Sequence, residues 1–124
     1  MNWSAIGAFL LALAVMVGAF GAHALRERLD EYAKGVYQTG VLYHFLHALG
    51  LLIVSFLLRI GALNESRAGW VCLLFLAGIL LFSGSLYVLA VSGVRALGAV
   101  TPIGGVCFIA GWLLLAYWLT QKSA

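Results

Sequence analysis

Four long apolar stretches alternate with short polar segments along the chain of 124 residues. A helix crosses a hydrocarbon core of about 30 Å with roughly 20 apolar residues, because each residue adds about 1.5 Å. Backbone groups inside lipid must bond within their own segment, which favours helices over strands. The pattern therefore predicts four transmembrane helices, over residues 3–24, 36–58, 69–92 and 99–120.

The polar connections between these stretches are short, so sequential helices should be antiparallel neighbours. The expected fold is all-α, an up-down four-helix bundle forming one transmembrane domain over residues 1–124, with both termini on the same side. In the first connection, apolar residues recur at helical spacing from Leu25 to Val36, and Asp30 and Lys34 are spaced as an i, i+4 ion pair. This pattern predicts a short amphipathic helix on the membrane surface between helices 1 and 2.

The first apolar stretch has one alternative interpretation, a cleaved signal peptide, since residues 22–24 read Ala-His-Ala. No Lys or Arg precedes the stretch, and it is longer than the apolar region of a signal peptide. We therefore expect it to be a retained span.

Composition supports a membrane protein. Hydrophobic residues make up 65% of the chain, charged residues 9%, and mean hydropathy is +1.09, whereas a soluble domain carries roughly 25% charged residues. The net charge is +3, but the cations lie singly at segment ends with no aromatic-interleaved basic patch, so nucleic acid is not an expected partner. The expected partner is the lipid bilayer.

Membrane orientation is weakly encoded in the cations. The first and third connections hold four of them, and the second connection with the C-terminal segment holds three. Because the first loop tends to dominate, both termini are expected outside the inner membrane. The first set is Arg26, Arg28, Lys34 and Arg95; the second is Arg59, Arg67 and Lys122.

Small residues recur on one stripe of the first helix, at Gly7, Ala14, Gly18 and Gly21, and Gly104 and Gly111 are a heptad apart in the last. In lipid, close approach over small residues holds helices together. The stripes predict tight helix contacts and leave homo-oligomer formation open.

Polar side chains within the spans concentrate in one half of the membrane, the half next to the first and third connections. We call this half the loop side, and the half next to the termini and the second connection the termini side. A lipid-facing imidazole would be costly, so the face of helix 2 that carries both histidines should point inward. The polar side chains are predicted to line one pocket open to the loop side and to bind a ligand there: His23, Tyr43, His44, His47, Ser83, Ser85, Tyr87 and Thr101.

Three interpretations of the histidines follow. In the first, they stabilise helix packing through hydrogen bonds. In the second, they bind a small molecule or lipid headgroup, or carry protons. In the third, His23, His44 and His47 hold zinc or a haem iron. No Ser is accompanied by both a His and a buried carboxylate, no acidic residue lies within a span, and no Gly-rich phosphate loop occurs. An enzyme is therefore not expected.

Four segments resemble the signature segments of a family of small four-helix membrane proteins of unknown function, domain of unknown function 423, which includes the bacterial YgdD and YwdK proteins and animal transmembrane protein 256. The segments are residues 18–25, 37–47, 82–87 and 101–105. The resemblance runs in order over essentially the whole chain. It implies the four-span architecture and a bacterial inner-membrane location, and it supplies no activity.

The sequence thus predicts a non-enzymatic inner-membrane bundle that binds a small ligand, a lipid or a partner through its loop-side polar residues. The alternative is a metal- or haem-binding accessory protein for redox chemistry or transport.

Overall fold

The computed structural model describes residues 1–121, which form four helices long and apolar enough to cross a membrane. The predicted all-α, four-span architecture is confirmed. The third span is continuous through α3, a π-helical turn and α4, and a 3₁₀ turn leads into the fourth. The bounds are α1 Trp3–His23, α2 Glu31–Arg59, α3 Glu65–Gly78, the π turn Ile79–Ser83, α4 Gly84–Ser92, the 3₁₀ turn Arg95–Ala99 and α5 Thr101–Leu119.

Short polar side chains determine where three of the helices begin. Asn2, Asp30 and Asn64 each accept a hydrogen bond from the backbone N–H three residues further on, at 3.0, 2.8 and 2.9 Å. Such caps satisfy N–H groups that a helix leaves unpaired at its first turn. At the other end of the third span, Gly93 adopts a left-handed conformation with φ +73° and ends α4.

The prediction of an amphipathic helix between the first two spans is wrong. Residues 24–30 form only a turn, in which the Arg28 N–H donates to the Leu25 carbonyl at 3.0 Å, and α2 already begins at Glu31. Leu25 is buried with Tyr37 and Ala90 instead of lying on the membrane surface. The Asp30 carboxylate caps α2, so Lys34 contacts Glu31 at 3.4 Å rather than Asp30.

The central helix of the molecule is α2. It packs against α1 on one side and against the third span on the other, and α5 packs on the third span. Within residues 1–121, α1 makes at most marginal contact with any span other than α2. One flank of α1 and α2 is therefore open to lipid. Lys122, one of the termini-side cations, lies outside the described residues.

Close helix contacts at glycine confirm the expected role of the small residues. A Cβ on Gly7 of α1 would lie 3.1 Å from the Leu51 Cβ of α2. A Cβ on Gly104 of α5 would lie 2.3 Å from the backbone nitrogen of Phe82 in the π turn. No side chain fits at Gly104 unless the helices separate.

Candidate functional site

His47 uses both ring nitrogens inside the bundle. Its side chain is 4% exposed, and the indole N–H of Trp112 donates to Nε2 at 2.9 Å. Because Nε2 accepts, the ring proton is on Nδ1, which donates to the Tyr43 carbonyl at 2.8 Å. The ring also stacks on Phe108, with centroids 3.5 Å apart. His47 therefore links α2 to α5 as a neutral imidazole in one defined tautomer.

His44 links α2 to α4. Its Nδ1 lies 2.8 Å from the Tyr87 hydroxyl, and the Tyr87 ring reaches it by crossing Gly40, where a Cβ would lie 2.9 Å from the ring. The other nitrogen, Nε2, is buried without a hydrogen-bond partner in residues 1–121.

The two buried serines of the third span are paired between helices. The Ser83 hydroxyl donates to the Gly40 carbonyl of α2 at 2.6 Å. The Ser85 hydroxyl is 2.6 Å from the Thr101 hydroxyl of α5 and 2.9 Å from the Phe82 carbonyl. A polar group in lipid is stable when it has such a partner, so these contacts hold the helices together on the loop side.

The predicted residues do not converge on one point. His23 is exposed at the end of α1, whereas His44 lies 13 residues into α2, about 20 Å along the helix. Tyr43 is partly exposed and packs its ring on Phe82 at 4.6 Å. Among residues 1–121, no group of three or more His, Cys, Asp and Glu side chains is placed to hold a metal ion. The described residues therefore do not form a three-ligand zinc site.

Two residues that complete these contacts were missed in the sequence, Trp112 and Tyr37. Counted from the predicted span starts, Trp112 lies 13 residues after residue 99 and His47 lies 11 residues after Val36, so in two helices that both run away from the loop side their depths agree to within about 3 Å. That count could have found the pair. The Tyr37 hydroxyl donates to the Val17 carbonyl of α1 at 2.5 Å, and its position on the inward face of helix 2 was the available signal.

A groove of about 300 Å³ lies between α1 and α2 on the loop side. Its walls are apolar or small, formed by residues such as Gly18, Ala22, Val41, Leu42 and Phe45, and it also contacts Lys34 and Gln38. None of the eight predicted site residues lines it. The groove combines an apolar channel open to lipid with one ammonium group close to the start of α2.

Comparison with known proteins gives relatives but no activity. A family model described as a protein of unknown function, DUF423, matches residues 17–105. UPF0382 membrane protein YwdK of Bacillus subtilis is 48% identical over 91 residues, 72% of each chain. UPF0382 membrane protein SH2409 of Staphylococcus haemolyticus is 47% identical over 90 residues, 73% of this chain and 71% of that one. No solved structure matches the chain.

Proposed function

The chain belongs to the DUF423 family of membrane proteins of unknown function, and from that premise we propose that it is a non-enzymatic protein that binds an anionic lipid in the groove between α1 and α2. The observation that carries this proposal is Lys34, an ammonium group at an apolar, lipid-facing groove.

The chemistry of the groove matches the two parts of such a lipid. Val41, Leu42 and Phe45 offer an apolar wall for an acyl chain, and Lys34 lies in the first turn of α2, near the headgroup level. A concave, mostly apolar site with few polar groups is the usual form of a small-molecule site, and basic pockets between membrane helices bind anionic headgroups.

The charge of Lys34 is available to a ligand. Its one ion pair is with Glu31 at 3.4 Å, and the Glu31 side chain is 95% exposed. Exposed pairs of this kind contribute about 0–1 kcal/mol, so a phosphate in the groove competes with Glu31 at little cost.

The loop-side polar pairs are less suited to binding. A ligand or metal at His47 would have to displace both the Trp112 indole and the Tyr43 carbonyl, and each buried group left without a partner costs about 1–3 kcal/mol. Their saturation supports a packing role for His47, Ser83 and Ser85. It does not favour the metal- or haem-binding alternative.

The test is lipid retention. The purified protein is equilibrated with phosphatidylglycerol and phosphatidylcholine of the same acyl chains, and bound lipid is counted by native mass spectrometry. We expect preferential retention of phosphatidylglycerol, and Lys34→Gln should weaken it about fivefold, because one cation near a lipid surface contributes about 1 kcal/mol.

The matched control is Arg26→Gln, which removes an exposed cation of the same loop that does not line the groove. Its retention of phosphatidylglycerol should equal that of the wild type. Equal losses in the two variants, or no loss with Lys34→Gln, would show that the groove does not select the lipid.

We also infer that the protein lies in the cytoplasmic (inner) membrane with both termini outside, since the first loop holds three cations next to the first span. A C-terminal alkaline phosphatase fusion, active only after export, should then be active. An inactive fusion with an active cytoplasmic reporter at the same position would reverse the orientation.

A further inference from the structure

A second cavity, of about 270 Å³, lies on the loop side between the first connection and the end of the third span. Two arginines line it from different parts of the chain, Arg28 from the first connection and Arg95 from the 3₁₀ turn before α5. The groove between α1 and α2 shares only Leu29 with this cavity. The two are therefore separate sites on either side of the first connection.

The charge in this cavity is positive and unpaired. The one carboxylate in its lining, Asp30, already accepts the Ala33 N–H at 2.8 Å. The Ser92 hydroxyl is also engaged, with the Val88 carbonyl and the Val94 N–H. Since Lys34–Glu31 is the single ion pair within residues 1–121, neither arginine has a carboxylate partner there.

Arg95 is held in position by an aromatic ring. Its guanidinium carbon lies 4.6 Å from the centroid of the Tyr32 ring, and Tyr32 is itself in the cavity lining. Stacking occupies the flat face of the guanidinium and leaves its in-plane N–H donors for a ligand. Planar forks of this kind match the oxygen atoms of phosphate better than a single ammonium does.

The start of α2 adds partial positive charge to the same cavity. Asp30, Tyr32 and Ala33 of the lining belong to the cap and first turn of this helix of 29 residues, and the N-terminal end of a helix carries partial positive charge. Asp30 offsets part of this charge. The cavity lining holds two guanidinium groups and one carboxylate, which is engaged in capping α2, so the cavity is complementary to an anion.

We propose that this cavity binds a phosphate group between Arg28 and Arg95, at the depth of the lipid headgroups. Two sources offer the same chemistry: the phosphodiester of an anionic phospholipid, and a water-soluble phosphate monoester. The inference does not depend on the groove, because neither arginine lines it.

The experiment uses the full chain carrying Lys34→Gln, so that the groove cation cannot contribute, in phospholipid-free detergent micelles. Thermal unfolding is followed by tryptophan fluorescence during two titrations, one with glycerol 3-phosphate and one with phosphatidylglycerol in mixed micelles. Binding to the folded state should raise the unfolding midpoint with ligand concentration. A response to both probes identifies phosphate as sufficient, and a response to phosphatidylglycerol alone identifies the lipid headgroup.

Removing both cations, Arg28→Gln with Arg95→Gln, should weaken the apparent affinity roughly 30-fold, from about 1 kcal/mol per cation. The control, Arg26→Gln with Arg59→Gln, makes the same change in net charge outside the cavity and should respond like the parent. If the double variant is not recovered folded, Arg28→Gln alone should weaken binding about fivefold, since its side chain makes no hydrogen bond or ion pair in the described chain.

Three results would overturn the proposal. The first is no midpoint rise in the parent with either probe. The second is an unchanged response after the Arg28 and Arg95 substitutions. The third is an equal loss in the Arg26 and Arg59 control, which would mean that overall charge, not this cavity, attracts the anion. Lipid retention in the Lys34→Gln variant tests only the groove between α1 and α2, so the groove proposal and the proposal for this cavity can fail separately.

Discussion

At the scale of single residues, the burial of the two span histidines could be predicted from the sequence, but their hydrogen-bond partners could not. The cost of placing imidazole in lipid predicted that His44 and His47 point inward, and both are 4% exposed. Their partners depend on which side chain of another helix lies at the same depth, as Trp112 does for His47 and Tyr87 for His44. Periodicity within one helix carries no such information, so a single predicted pocket became several separate pairs.

The hydrogen bond between Trp112 and His47 gives a test at this scale. Trp112→Phe keeps an aromatic ring but removes the N–H donor, leaving Nε2 of His47 buried without its partner. We expect a loss of about 0.5–2 kcal/mol in the free energy of unfolding, the range for polar contacts between membrane helices. The measurement is equilibrium unfolding in mixed micelles of mild detergent and dodecyl sulfate.

Trp70→Phe is the control for this substitution, because Trp70 is exposed on α3. It should change the stability by less than about 0.5 kcal/mol. A Trp112→Phe variant as stable as Trp70→Phe would mean that the indole hydrogen bond does not brace the bundle.

At the scale of elements, the number and type of helices were predictable, and their local irregularities were not. Long apolar runs and short connections predict four spans directly. The sequence pairs Asp30 with Lys34 at i, i+4 spacing, whereas in the structure the Asp30 carboxylate caps α2 and extends it back to Glu31. The π turn Ile79–Ser83 has no local signal, since four of its five residues are ordinary apolar ones. Its place reflects packing against Gly104 of α5.

Two adjacent glycines test the contact between the third and fourth spans. Gly104→Ala would place a Cβ 2.3 Å from the Phe82 backbone nitrogen, whereas a Cβ on Gly105 would lie 3.7 Å from the Phe82 ring in ordinary contact. Backbone cannot move aside as a side chain does, so Gly104→Ala should destabilise the protein by about 1–3 kcal/mol.

Gly105→Ala should be neutral or slightly stabilising, because alanine favours the helix over glycine. Equilibrium unfolding of the two variants side by side gives the comparison. If both were equally stable, the close approach of α5 to the π turn would not hold in the membrane.

At the scale of the whole molecule, two asymmetries determine where a ligand is expected. Polar residues of the spans concentrate toward the loop side, as the sequence predicts, and the structure engages the buried ones in hydrogen bonds between helices: His44, His47, Ser83 and Ser85. The open flank beside α1 was not predictable, because local patterns do not say that α1 packs chiefly on α2. Lipid binding is therefore proposed in the groove on that flank, beside the polar residues rather than among them.

The most direct test of lipid binding in this groove is photo-crosslinking at Leu42, which lines it and is 54% exposed. A photoreactive amino acid replaces Leu42, or as a control Val106 of α5, which is 64% exposed at a similar depth outside the groove. Each protein is irradiated in vesicles of equal phosphatidylglycerol and phosphatidylcholine, and the attached lipid is identified by mass spectrometry. We predict enrichment of phosphatidylglycerol at Leu42 and the bulk ratio at Val106; the bulk ratio at both positions would contradict a lipid-selective groove.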